Sequence, residues 1–171
     1  VVVVLAAALL IWNNTRGSVA AATVNGQKYT VAEVSYYYQQ AASTWSQFGI
    51  RPSDIMEEET GRTYGDYFKE QALDSLVSVT ALVDAAKAEG YTLSAAGQAQ
   101  LDSTYETIDT ICSLNGINRK SFLTQSYGKY MSEGTFNRLL ERAVLADDYA
   151  AAHQAGYTYD GAALQAYYDE H

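Results

Sequence analysis

Residues Ala22 to Gln40 read ATVNGQKYTVAEVSYYYQQ, and this stretch decides the fold of the chain. Asn25-Gly26 lies between two short β-prone runs, and the pattern predicts a two-residue type I′ hairpin because both central residues of that turn need positive φ. Thr30 and Glu33 have the spacing of a capping box, in which each side chain binds the backbone amide of the other residue. The sequence therefore predicts a hairpin that leads directly into a helix.

The composition describes one ordered domain. With 171 residues the chain is long enough for a single domain with its own core. A hydrophobic content of 48% with 18% charged residues is typical of a globular protein rather than a disordered one. Eleven basic and twenty acidic residues give a net charge of −9, which repels phosphate backbones and argues against nucleic acid as a partner.

The first twelve residues are uncharged and apolar, unlike the rest of the chain. A helix that spans a bilayer needs about 20 apolar residues, so this run is too short to cross a membrane by itself. We interpret residues 1–18 as the remnant of a membrane anchor or signal segment with its linker, and residues 19–171 as the folded domain. A buried helix is the alternative interpretation, and a retained anchor and a cleaved signal both remain open.

Apolar periodicity and capping signals predict six helices after the hairpin. Their predicted ranges are 31–48, 63–89, 94–114, 118–127, 132–156 and from about 160 onward. The helix at 63–89 is the longest and is predicted to be the spine of the domain. Only residues 22–30 are predicted as sheet, and the segment 51–61 is predicted to be an acidic loop.

The first predicted helix carries an apolar stripe at three- and four-residue spacing, which predicts a face that packs on the core. The residues of this stripe are Val34, Tyr37 or Tyr38, Ala41, Trp45 and Phe48.

Residue types that carry chemistry in other proteins occur here without the neighbours that they need. His153 and His171 are the only histidines, and neither has other ligands at zinc-site spacing. The glutamates at 57–59 are interpreted as a solvated surface, and the single cysteine, Cys112, as a buried small hydrophobe rather than a nucleophile. No catalytic residue, metal ligand or cofactor is predicted.

Fifteen tyrosines are the strongest chemical bias of the chain. Tyr36, Tyr37 and Tyr38 are consecutive and sweep about 200° of a helix, so they cannot all face one core. Tyrosine offers a large contact area, little rotamer entropy to lose and a hydroxyl that tolerates water, which suits binding of varied polypeptides. Substitution for Phe and Leu at half-buried helix positions explains the bias equally well.

Residues 22–34 follow the pattern A-x-V-N-G-x-x-[IY]-T-x-x-E-[VF], with aromatic residues one turn later. Further matching segments are AAKAEGYTLS at 85–94, the stretch 116–128, and YYDEH at 167–171. With these segments the chain resembles the N-terminal chaperone domain of extracytoplasmic foldases of the SurA and PrsA type. The resemblance implies a mainly α fold, namely an irregular multi-helix chaperone-like domain with one long central helix and a short N-terminal β-hairpin.

The resemblance also implies a function. Domains of this kind bind unfolded or nascent secreted polypeptides outside the cytoplasm, in a membrane-anchored or secreted protein. They precede a parvulin-type peptidyl-prolyl isomerase domain, which these residues do not contain, so isomerase activity would belong to a parent protein. The expected partners are unfolded polypeptide segments and, through the apolar start, a membrane. The alternative is a structural or assembly domain that forms a homo-oligomer or pairs with an envelope protein.

The predicted binding site is a cleft between the first helix and the long helix. The apolar stripes of both helices are wider than one packing partner covers, and excess apolar surface marks a binding site. The candidate peptide-binding residues are Tyr37, Tyr38, Trp45, Tyr64, Tyr67 and Phe68.

Overall fold

The structure, a computed structural model, describes residues 4–5, 17–156 and 165. Its elements in chain order are β1 (Val4–Leu5), β2 (Ala20–Val24), β3 (Gln27–Thr30), α1 (Val31–Ser46), β4 (Ile55–Glu57), β5 (Arg62–Thr63), α2 (Tyr64–Ala88), α3 (Ala95–Asn115), α4 (Arg119–Tyr127) and α5 (Glu133–Gly156). The fold is mainly α with a short N-terminal hairpin, and the predicted fold class is confirmed. The sixth predicted helix lies outside the described residues.

The predicted β2–β3 hairpin forms with the turn that its sequence requires. Asn25 and Gly26 have φ values of 48° and 78°, the two positive values of a type I′ turn. β2 pairs antiparallel with β3, and β1 pairs antiparallel with the other edge of β2, where Val4 lies opposite Thr23. The sheet therefore has the order β1-β2-β3.

Both long helices at the start of the domain begin with a capping box. At α1 the Thr30 amide donates to the Glu33 carboxylate at 2.7 Å, and the Glu33 amide donates to the Thr30 hydroxyl at 3.3 Å. At α2 the same reciprocal pair is formed by Thr63 and Asp66. Two otherwise unpaired backbone amides are satisfied at each helix end, which fixes where each helix begins.

The segment 51–61 differs from its prediction, because it contains part of a second hairpin. β4 pairs antiparallel with β5, and Ile55 lies opposite Thr63. The prediction that only residues 22–30 form sheet is therefore wrong at this point. The two strands are 3 and 2 residues long, too short to show an alternation of apolar and polar residues.

α2 is the spine of the domain, as predicted. Its buried side chains recur at three- and four-residue spacing along one face. They are Phe68, Ala72, Leu76, Thr80, Val83 and Ala86. α1 and α5 pack against α2, while α3 and α4 pack against α5. The core between these layers also receives Val24 and Tyr29 from the hairpin.

The remaining helices agree with their predicted ranges to within two residues. Ser94 caps α3 by accepting a hydrogen bond from the Gly97 amide, and Gly116, whose φ is 62°, is the C-cap that follows its last residue. Cys112 on α3 is buried, as predicted. α1 is shorter than predicted, since it ends at Ser46 rather than at residue 48.

Of the first sixteen residues the structure describes only Val4–Leu5, so the interpretation of residues 1–18 as an anchor or signal remnant stays a prediction. Within the described ranges, none of the helices has both the length and the apolar composition of a membrane span.

Candidate functional site

One end of the α1–α2 pair carries a surface that we call the apolar tip, residues 45–68. The loop 47–54 is held there by two backbone hydrogen bonds, from the Gly65 amide to the Pro52 carbonyl at 2.8 Å and from the Tyr64 amide to the Asp54 carbonyl at 3.0 Å. A Cβ on Gly65 would lie 2.8 Å from the Pro52 carbonyl oxygen, which is closer than real Cβ atoms approach. Glycine at position 65 therefore permits the loop to lie on the first turn of α2.

Five of the six predicted binding residues form one set of ring contacts, of which four lie in the apolar tip and Tyr38 lies earlier on α1. The Trp45 ring lies 5.6 Å from Tyr64 and 5.8 Å from Tyr67, measured between centroids. Tyr64, Tyr67 and Tyr38 each lie 6.1 Å from Phe68. Phe68 is fully buried, whereas the other four rings are half-buried. Phe68 is thus the base on which the partly exposed rings rest.

The sixth predicted residue, Tyr37, lies in the core rather than at the apolar tip. Its side chain is only 3% exposed and meets the Tyr36 ring edge-on at a centroid distance of 5.2 Å. Tyr36 in turn contacts Tyr127 of α4 and Phe136 of α5. Successive helical side chains point about 100° apart, so Tyr36 faces α4 and α5 while Tyr38 faces α2.

The apolar tip also carries large apolar side chains that are exposed. Phe48 is 72% exposed, Ile55 54% and Met56 42%. The prediction that Phe48 packs on the core is wrong, because α1 ends two residues earlier. Ile55 and Met56 were absent from the predicted site, although an apolar pair inside an otherwise polar and acidic segment was a signal for them. Exposed apolar side chains concentrated at one end of a domain mark an interaction surface.

The charges at the apolar tip are unbalanced. Each basic side chain in or beside the tip is paired with a carboxylate, as Arg51–Asp54 at 3.3 Å, Lys69–Asp66 at 2.8 Å and Arg62–Glu70. The carboxylates of Glu57, Glu58 and Glu59 have no basic partner among the described residues, and Glu57 accepts only the Thr60 hydroxyl at 2.6 Å. The turn between β4 and β5 is therefore an acidic rim beside Ile55 and Met56.

A polar contact joins the first turn of α1 to α5. Arg138 of α5 donates to the Glu33 carboxylate at 3.1 Å. Burial of this carboxylate raises its pKa, but the hydrogen bonds from Thr30 and Arg138 lower it more, so the pKa of Glu33 lies below its usual range. This ion pair links the first helix to α5. Both groups have partners within the fold, so we interpret the pair as a structural contact rather than a binding site.

A second set of hydrogen bonds joins α5 to the hairpin through Arg142. Arg142 donates to the Tyr29 hydroxyl at 2.8 Å, and the Tyr29 and Thr80 hydroxyls are 2.7 Å apart. Burial raises the pKa of the neighbouring Tyr37 hydroxyl to about 12. The hydroxyl therefore stays protonated at neutral pH, and it has no hydrogen-bond partner within the described residues.

The turn between α2 and α3 is fastened to α5. The Asp148 carboxylate accepts hydrogen bonds from the Ser94 amide at 2.7 Å, the Ser94 hydroxyl at 2.6 Å and the Tyr91 hydroxyl at 3.0 Å. The Glu89 carboxylate accepts a hydrogen bond from the Tyr149 hydroxyl at 2.7 Å, and its Oε2 lies 3.1 Å from Nε2 of His153. These groups bind one another and hold α2, α3 and α5 together.

Among residues 4–5, 17–156 and 165, no set of His, Cys, Asp and Glu side chains is arranged to hold a metal ion.

The fold and the surface together define a helical domain with an N-terminal hairpin, a long spine helix and an apolar surface at one end. The family described as the SurA-like N-terminal domain matches residues 1–150, so the chain belongs to that family and the resemblance seen in the sequence is confirmed. SurA-like domains are chaperone-type modules and are generally extracytoplasmic. No curated protein and no solved structure matches the chain.

Proposed function

We propose that this domain binds unfolded polypeptide segments on the apolar tip, as the substrate-binding module of an extracytoplasmic chaperone. The observation that carries the proposal is the exposure of Phe48, Ile55 and Met56 in the segment that joins the half-buried aromatic rings of α1 and α2. An apolar segment that covers these side chains removes apolar area from water on both partners, which favours association.

The composition of the tip suits partners of varied sequence. Tyr64 and Tyr67 rest on the buried Phe68, and Trp45 packs on both tyrosines, so these rings lose little rotamer freedom when a ligand covers them. Met56 is unbranched and polarizable, so it adapts to ligands of different shape. Affinity gained in this way depends on contact area rather than on one sequence.

The same proposal places the domain in a larger foldase, attached to a membrane through residues 1–18 and joined to a parvulin-type isomerase domain. Family membership and the apolar run support it. Cell fractionation tests it, since a tagged parent protein is expected in an extracytoplasmic membrane fraction. Recovery of the parent protein in the cytoplasm would contradict this placement.

The binding proposal is tested by the triple variant Phe48→Ser, Ile55→Ser, Met56→Ser. We expect it to lose the ability to suppress aggregation of a chemically denatured client, measured by light scattering. Its melting temperature should stay close to that of the unsubstituted chain, because substitutions of exposed side chains rarely change stability by more than about 0.5 kcal/mol.

The chain offers a matched control in Leu114, which is 81% exposed at the end of α3. Leu114→Ser removes exposed apolar area elsewhere and should leave client protection unchanged. A triple variant that folds and still protects the client would contradict the proposed site. If the unsubstituted chain forms a dimer through the tip and has no effect on clients, the alternative function, a structural or assembly domain, would be supported instead.

A further inference from the structure

We propose that the apolar tip selects client segments in which apolar residues are flanked by lysine or arginine. This inference rests on the proposed function, since it names the class of polypeptide that the same surface takes. It is carried by the placement of uncompensated carboxylates beside the exposed apolar side chains.

The charge argument begins with the cations of the apolar tip. Arg51, Arg62 and Lys69 are each engaged by a carboxylate of the same region. After these pairs are formed, the three glutamates at 57–59 remain as uncompensated negative charge. The side chains of all three are exposed, so they are available to a ligand.

The position of these glutamates matters as much as their charge. They follow Ile55 and Met56 directly in the chain and continue from β4 into the turn of the second hairpin. A segment whose apolar side chains cover Ile55 and Met56 therefore brings its flanking residues next to the carboxylates. Lysine or arginine at those flanks is attracted, and glutamate or aspartate is repelled.

The same charges argue against a second copy of the chain as the occupant. A two-fold symmetric pair would bury both sets of glutamates in one interface, where the basic side chains of each tip are already paired with other carboxylates. The whole chain carries a net charge of −9, which adds to this repulsion. A cationic apolar segment meets neither obstacle.

The expected preference is moderate. An exposed charge pair changes a dissociation constant by only about two- to fivefold, so several together give a preference of about tenfold at low salt. Screening shortens the reach of these charges to about 10 Å at 0.1 M salt, so the preference should shrink as salt is added.

The experiment uses the full chain and labelled peptides that share one apolar core and differ in their flanks, which are lysine, serine or glutamate. Dissociation constants are measured by fluorescence anisotropy at low and high salt. We expect the lysine-flanked peptide to bind about tenfold more tightly than the glutamate-flanked peptide at low salt, with the serine-flanked peptide between them.

A charge variant locates the effect. Glu57→Gln, Glu58→Gln, Glu59→Gln should remove most of the preference while the serine-flanked peptide binds as before. The matched control removes three exposed carboxylates outside the tip, with Asp74→Asn, Asp102→Asn and Glu106→Gln. Both variants change the net charge equally. If the preference for the lysine-flanked peptide survives in the control variant and is lost in the other, the glutamates at 57–59 cause that preference.

The outcomes separate this inference from the proposed function. Equal affinity for all three peptides, with binding lost in the triple serine variant of the tip, overturns the charge preference and leaves the proposed function in place. Equal loss of preference in both charge variants also overturns it, because the effect would then come from net charge. Absence of binding to every peptide overturns both.

Discussion

Tyr37 and Tyr38 show how one step along a helix separates the core from the surface. Tyr37 is buried against Tyr36, whereas Tyr38 rests half-buried on Phe68. Helical geometry predicted that three consecutive tyrosines cannot share a face. It did not predict which of them faces inward, because that depends on where α4 and α5 pack.

The different positions of these rings lead to different costs of removing them. Tyr37→Ser should lower the free energy of unfolding by about 3 kcal/mol or more, since it leaves a cavity in the core. Tyr67→Ser, at the half-buried tip, should cost much less. Urea denaturation measures both values, and equal losses would mean that Tyr67 also belongs to the core.

Glu33 is expected to give the domain a dependence on acid pH. The pKa of Glu33 is lowered in the folded state, below the unfolded value of about 4.3. Its stabilising contribution is therefore fully present above that pH and is lost as the pH falls through the folded-state pKa.

Glu33→Gln tests this contribution, because glutamine keeps an acceptor for the capping bond but not the charge. We expect a loss of about 1 kcal/mol at pH 7 that shrinks below about pH 4. Glu106→Gln, at an exposed position of α3, serves as the control and should change stability by no more than about 0.5 kcal/mol. A loss that is independent of pH would contradict the role given to the charge.

At the scale of elements, the turn between α2 and α3 depends on a residue that lies far away in sequence. The Asp148 carboxylate accepts hydrogen bonds from the Ser94 hydroxyl and amide. These bonds lower the pKa of the Asp148 carboxyl and connect the start of α3 to α5. Asp148→Ala should lower the free energy of unfolding, because it leaves these donors without their partner.

Asp147 is the matched control for this variant. Its side chain is exposed and takes no part in the hydrogen bonds to Ser94 and Tyr91. Asp147→Ala should therefore change stability little. Equal destabilisation by the two variants would show that the bonds of Asp148 are not the cause.

The elements that the sequence predicted correctly are those specified by local signals. Thr30 and Thr63 mark helix starts through capping boxes, and Asn25-Gly26 marks the first hairpin through its turn. The second hairpin and the true end of α1 depend on contacts between segments, such as that of Pro52 with Gly65. No local pattern encodes such a contact, so Phe48 was placed in the core.

For the molecule as a whole, the sequence identified the aromatic part of the candidate site but not its apolar and acidic parts. Trp45, Tyr64 and Tyr67 were recognised because aromatic residues are dense on both helices. Ile55, Met56 and their glutamate neighbours gain meaning only from where the hairpin places them.

Client binding should be visible in the fluorescence of Trp45. The chain has two tryptophans, so a Trp12→Phe variant leaves Trp45 as the only reporter. We expect a blue shift of its emission when an apolar peptide is added, because the half-buried indole loses contact with water. No shift at peptide concentrations that saturate binding would place the bound segment away from the tip.

The anchoring of the loop at Pro52 and Asp54 has a consequence for how such domains diversify. The segment 55–61 is exposed along its whole length, and it lies between these anchors and the cap of α2. A graft of a different hairpin at these positions replaces the groups offered to ligands while the helices beneath keep their packing. Relatives that differ here can acquire new preferences by exchanging this short insert, with the remainder of the domain inherited intact.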